Sequence, residues 1–400
     1  MDHCVDLTLT LDWDSESPAG PIRHRDSYFA AGVDLAADSL PGNLRAALKD
    51  AGPGTRVAKR LGIDEMTGRD AAGAVIRSAA GRFVTTLPNG TRVAPRFGRF
   101  YPSVLFREFG QPGITAMQPF RYLGQADGET VFDTRHPLAG RTLKLAARVD
   151  VHGAVPGTSG RPVNWTALLL DGPGLQACWD GKPTQFAYEG AYARQDEDAD
   201  DRFYAEPRMV AHLDSRAQAA IGDYYRNYLR ADATALDLMS SLCSNLHADQ
   251  RPARFFGLGL NAAEMRANEM LDGAVIADLN ADPALPFAES SFDAVICTVS
   301  VDYLTRPVEV FREVRRILRP GGAFALAFSN RWFSPKVTRL WAELHPFERM
   351  GLVASYFAEA GGFIEIETCS LRGLPRPPSD RYAGQSPHAD PVFAVAARRG

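Results

Sequence analysis

From Asp214 to its end the chain alternates short apolar strands with amphipathic helices, and few folds accommodate that order. Asp214 can cap a helix in which Ile221, Tyr224, Tyr225, Tyr228 and Leu229 recur at helical spacing. Strands are expected at 236–239, 255–258, 275–277, 292–297 and 323–328, with helices at 262–271 and 308–318. Pro307 suits the first turn of the second of these helices, and Arg319-Pro320-Gly321-Gly322 stops it. A helix around 349–360 ends at Gly361, and strands at 363–369 and 392–397 follow. This alternation predicts a parallel, doubly wound α/β sheet.

The first 155 residues read differently. Val5–Trp13 alternates apolar and polar residues, as a half-buried strand does, and so does 142–151. A short helix at 39–48 and a strand at 56–61 lie between them. These elements predict a small β-rich α+β domain over 1–155. Residues 156–212 form a turn-rich linker, and their acidic run Asp196–Asp201 reads as a solvated loop. Four hundred residues fit such a two-part division.

Composition narrows the function classes. A net charge of −4 gives no reason to expect nucleic acid as a partner. No apolar run approaches the ~20 residues of a membrane span, and the N-terminus lacks the pattern of a secretory signal. The five cysteines are scattered without a C-x-x-C pair, as are the histidines. Reduced thiols in a cytoplasm are therefore expected, and no metal site.

Several words in the second half carry a resemblance. Leu285-Pro286-Phe287 followed by Ser291-Phe292-Asp293-Ala294-Val295, then Leu318-Arg319-Pro320-Gly321-Gly322 and two closing strands, resembles the class I S-adenosylmethionine (SAM) methyltransferases. The resemblance spans about 213–400. It implies a Rossmann-like sheet of seven strands, the last antiparallel, with SAM as cofactor and a small-molecule, peptide or protein methyl acceptor as partner. It also exposes two departures. The turn after strand one, Met239-Ser240-Ser241-Leu242-Cys243-Ser244, contains no glycine, although a backbone that approaches a cofactor closely usually needs one. Gly259 stands where the ribose-binding acid is expected.

By the same resemblance, Asp237 anchors the loop or the methionyl end, and Ser240, Ser241 and Ser244 offer hydroxyl contacts. Gly259 and Asn261 let an amide serve the ribose, and Asp278, Leu279 and Asn280 face the adenine. Thr298 borders the site after strand four, where Asp302 or Tyr303 supplies a base; capping of the next helix is an equal alternative for both. Asn330 and Trp332 line the acceptor pocket, and Tyr204 and Arg208 belong to a lid.

In the first half, Asp133-Thr134-Arg135-His136-Pro137-Leu138-Ala139-Gly140 resembles a segment of SlyD-type FKBP peptidyl-prolyl isomerases, as does Leu40-Pro41-Gly42 with its following helix. Residues 63–130 fall where those proteins carry an inserted flap. The resemblance implies an FKBP-like module that binds a peptide or partner, with an aromatic cradle from Phe29, Leu40, Phe100, Tyr101 and Leu138; plain core packing explains the same residues. The leading expectation is a methyltransferase with a binding module. A non-catalytic scaffold and a prolyl isomerase or chaperone are the alternatives.

Overall fold

The structure, a computed structural model, describes residues 4–49, 51–67, 73–79, 83–84, 86, 92–105, 119–152 and 161–400. Parts of the 63–130 stretch therefore lie outside the described residues. The N-terminal part supplies strands β1 (Cys4–Ser17), β2 (Gly20–Asp34), β3 (Arg56–Leu61), β4 (Val75–Ala79), β5 (Phe100–Pro102), β6 (Pro119–Ala126), β7 (Glu129–Asp133) and β8 (Leu143–His152). The C-terminal part supplies β9 (Thr234–Leu238), β10 (Arg254–Gly259), β11 (Gly273–Ile276), β12 (Phe292–Thr298), β13 (Leu318–Phe328), β14 (Phe363–Arg372) and β15 (Val392–Arg399).

Eleven strands form one sheet in the order β11-β10-β9-β12-β13-β15-β14-β2-β1-β8-β3. The first five are parallel, while β15 runs antiparallel between β13 and β14. Central strands buried on both faces lose the apolar/polar alternation: Ala235, Leu236, Leu238, Val295 and Ile296 are all fully buried. The helix Pro307–Ile317 turns Val310, Phe311, Val314 and Ile317 into the core and exposes its charges, as its periodicity predicts. Asp214 caps Ser215–Tyr225 by accepting the amides of Arg216 and Ala217.

The two parts share this sheet because β2 pairs with β14 in parallel, Glu367 opposite Arg23 through Arg372 opposite Tyr28. Nothing in the sequence marks β2 as a strand, because two of its inward positions are His24 and Asp26. Those residues build the seam. Asp26 accepts hydrogen bonds from Ser370 Oγ (2.7 Å), Trp13 Nε1 (2.9 Å) and Gln176 Nε2 (3.2 Å). His24 bridges Thr368 Oγ1 (2.7 Å) and Ser15 Oγ (2.8 Å). A polar ladder of this kind fixes strand register, since a slip would strand each group unpaired.

Strands β4-β7-β6-β5 form a second, smaller sheet over an aromatic core of Phe83, Tyr101, Phe120, Tyr122 and Phe132. It is tied to the C-terminal part by a buried ion pair, Arg99 Nε to Glu348 Oε1 at 2.9 Å.

Two expectations change. The cradle residues are not gathered: Tyr101 belongs to the aromatic core of the small sheet, and Leu138 lies in the β1–β8 core with Leu40 at its edge. Phe29, half-buried on β2, is in neither cluster. The acidic run is not simply solvated, because Asp200 is buried and bonded to Arg194 (2.7 Å), Lys336 (3.2 Å) and Asn280. Lys336 itself is wholly buried, which requires such partners. Among the described residues no helix is long and apolar enough to cross a membrane.

Candidate functional site

A cavity opens at the carboxyl ends of β9, β10, β11 and β12, where doubly wound sheets hold ligands. The loop after β9 lines it, together with Tyr204, Arg208 and His212 from the upstream segment.

The missing glycines of the turn reappear on the neighbouring strand. Ser240 donates its amide to Leu258 O at 2.7 Å, which lays the loop directly on β10. A Cβ at position 259 would sit 2.2 Å from Ser240 O, and one at 257 would lie 3.2 Å from Ser240 Oγ and 2.7 Å from Leu271 Cδ1. Gly259 is therefore the space into which the loop settles. An acid at that position is sterically incompatible with this loop, so the glycine-free turn and the absent acid are one packing arrangement. Met239 and Asn245 flank the loop with φ of 57° and 55°, a left-handed conformation that costs a non-glycine residue about 1–2 kcal/mol and occurs at functional sites.

The loop is held by charge. Asp237, 2% exposed, accepts Ser240 Oγ and Ser244 Oγ, each at 2.7 Å. Burial raises its pKa to about 6, against the lowering effect of the two hydroxyls. Asn268 Nδ2 adds bonds to Ser244 Oγ (2.9 Å) and Ser241 O (3.1 Å). Ser240 and Ser244 thus donate to Asp237, and Ser244 does not reach the cavity wall.

Asn261 is also fully engaged. Its Oδ1 accepts the amides of Ala263 and Glu264, and its Nδ2 donates to Tyr204 O and Ala205 O. It caps the helix Ala262–Ala267 and ties down the upstream segment, so its amide is not available to a ribose. The carboxylate at this end of the cavity is Glu264, which accepts Ser241 Oγ at 2.5 Å and the Arg208 amide at 2.6 Å. Nothing in the sequence separates Glu264 from an ordinary first-turn acid; its position against Ser241 is a tertiary fact.

At the next strand end Asp278 accepts the Asn280 and Ala281 amides and lines the cavity with Leu279. Asn280 joins Asp200, Tyr303 O and Thr305, and so is a tie between loops. Thr298 Oγ1 meets the buried Tyr225 hydroxyl at 2.8 Å.

A second cavity of about 830 Å³ adjoins the first, and His212, Leu213, Val299, Tyr303 and Phe333 line both. Asn330 and Trp332 lie in the second cavity. Tyr303 stacks on Phe333 at 6.1 Å, and its hydroxyl accepts the Phe333 amide at 2.8 Å. Asp302 lies behind it, 3% exposed and outside both cavity walls, with Oδ2 unpartnered among the described residues. Burial pushes its pKa up to about 7. Burial also lowers the pKa of His212. Tyr303, rather than Asp302, therefore faces the junction.

Arg208 completes the first cavity. Its guanidinium lies 4.7 Å from the Phe203 ring and 4.9 Å from that of Phe333, Nη2 donates to Phe203 O, and Nη1 is buried without a partner among the described residues. A guanidinium on the cavity wall suits a carboxylate ligand.

Residues 224–326 match the family model described as "Methyltransferase domain". Over 44 residues the chain is 43% identical to the biotin biosynthesis bifunctional protein BioHC of Teredinibacter turnerae, a match spanning 11% of this chain and 8% of that protein. A SAM-dependent methyltransferase from Archaeoglobus fulgidus is similar at 12% identity and a TM-score of 0.33, covering 46% of this chain and 94% of the other. One from Methanosarcina mazei is similar at 15% identity and a TM-score of 0.29, covering 44% and 96%. The C-terminal part thus contains a methyltransferase domain over residues 224–326.

Proposed function

We propose that the chain binds SAM in the cavity between Asp237 and Tyr303, in a pose adapted to the glycine-free loop, and methylates an acceptor held in the adjoining cavity. The observation that carries this reading is the shared wall at Tyr303, His212 and Phe333, where two cavities meet. In this pose Arg208 pairs with the carboxylate of SAM, Glu264 takes the ribose-binding role that Gly259 has vacated, and Asp278 serves the adenine.

Bound there, SAM supplies an electrophilic methyl group. The protein has then to align the acceptor with it and hold the acceptor's proton. Tyr303 and His212 stand where that proton leaves. Asp302 acts on Tyr303 from behind and touches neither ligand. The unfilled space among the side chains of the first cavity is about 120 Å³, below the roughly 300 Å³ at which small-molecule pockets usually begin. The segment 204–213 accordingly shifts outward when the cofactor enters.

The N-terminal part acts in this reading as a fixed extension of the enzyme's sheet that can still hold a peptide or partner. Prolyl isomerase activity is not favoured, because the cradle residues fall in different clusters.

Titration calorimetry with SAM, S-adenosylhomocysteine and sinefungin tests the central claim. Saturable binding that weakens in Arg208→Ala and Glu264→Gln is expected; absence of binding at millimolar ligand refutes it.

A further inference from the structure

A separate cavity of about 380 Å³ lies in the N-terminal part, between the small sheet, the His136–Arg141 loop and residues 178–180. Its lining is unusual in charge. Arg121, Arg135 and Arg141 face it together with Asp133 and Asp180. Asp133 is committed to Arg135, which it binds through both oxygens at 2.9 and 2.7 Å, and it also accepts Trp179 Nε1. Asp180 is exposed. Among the described residues neither Arg121 nor Arg141 is hydrogen-bonded to a carboxylate, although Asp133 and Glu348 act on Arg121 from a distance.

Both keep a donor unused. Arg121 is 4% exposed and lies 4.2 Å above the Phe100 ring, and its Nη1 is buried without a partner among the described residues. Arg141 donates Nη1 to Asp14 O at 2.9 Å and lies over Trp13, but its Nε is also buried and, among the described residues, unpartnered. Burial, and then the charge of Arg141, lowers the pKa of Arg121 to about 10. Two guanidiniums that face one cavity without a hydrogen-bonded carboxylate are costly unless an anion lies between them. His136 adds a neutral donor. Its Nδ1 accepts the Leu138 amide at 3.1 Å, which leaves the ring proton on Nε2, and burial lowers its pKa to about 4. Phe100, Pro137, Ala139 and Trp179 give the remaining wall an apolar character.

We infer that this cavity is a binding site for a small organic anion, a carboxylate or a phosphate ester, held by the guanidinium groups of Arg121 and Arg141. The site is independent of the cofactor cavity, and none of the residues lining one lines the other.

The test uses the full chain, titrated calorimetrically with succinate, benzoate and inorganic phosphate, with thermal melts in parallel. Saturable binding of at least one probe is expected; benzoate or succinate identifies a carboxylate site, and phosphate a phosphoryl site. Arg121→Gln and Arg141→Gln are each expected to weaken binding about tenfold or more, with Arg121→Lys between, since it keeps the charge and loses the fork. Melts establish that each variant is folded, and Arg141→Gln, at the less buried position, serves if Arg121→Gln is not. Saturating sinefungin is expected to leave the binding unchanged. No saturable binding of any probe up to about 10 mM, equal binding by folded variants, or displacement by sinefungin overturns the inference.

Discussion

Asp237 and Arg121 are both nearly inaccessible charged groups, and they have opposite surroundings. Asp237 is met by two serine hydroxyls at 2.7 Å, so its charge is used within the fold to hold a loop. Arg121 keeps a buried nitrogen with no partner among the described residues, and the charge that acts on it most strongly, Arg141, has the same sign. A buried charge that the chain satisfies is architecture; one that it leaves open beside a cavity asks for a ligand. Arg208 falls on the same side of this division as Arg121.

The largest expected effect tests the architectural side. Gly259→Asp restores the acid usual at that strand end but places a Cβ 2.2 Å from Ser240 O. It is expected to abolish SAM binding by calorimetry and to lower stability by about 3 kcal/mol in urea melts. Tighter SAM binding would mean that the position lacks only a carboxylate. Asp237→Ala leaves the Ser240 hydroxyl unpaired and Ser244 with Asn268 alone, and should cost about 2–4 kcal/mol. Arg121→Met, in contrast, removes an unpaired charge while keeping the contact with Phe100, and is expected to change stability by less than about 1 kcal/mol or to raise it. A large loss would place Arg121 with Asp237.

Tyr303→Phe is expected to lower kcat about 100-fold with little change in SAM affinity, in a methyl-transfer assay once an acceptor is known. The last effect is one of pH. Asp302 has its folded pKa raised to about 7, so the folded state binds its proton more tightly than the unfolded chain does. Its contribution to stability is therefore lost as pH rises from the ordinary carboxylate range through about 7. Asp302→Asn should stabilise the protein more at pH 8 than at pH 5, as read by thermal melts; equal effects at the two pH values would place the carboxyl in contact with solvent.

Much of the methyltransferase domain was legible in the chain because apolar periodicity, helix caps and Gly-Pro stops are local signals. The Asp214 cap, Pro307 and the stripe Val310–Ile317 were read from a few neighbouring residues each. Strand β2 was not legible, because His24 and Asp26 at its inward positions interrupt the alternation, and their partners Thr368 and Ser370 lie 344 residues away.

The sequence by itself determined the alternation that demands a doubly wound sheet, the absence of glycine after β9 and the presence of one at 259. Only the tertiary structure decided that these two facts are one, because a steric exclusion between Ser240 O and a Cβ at 259 exists only once two strands lie side by side. The same holds for the division between Asp237 and Arg121. Whether a buried charge has a partner depends on groups brought from distant parts of the chain, and no local pattern encodes it.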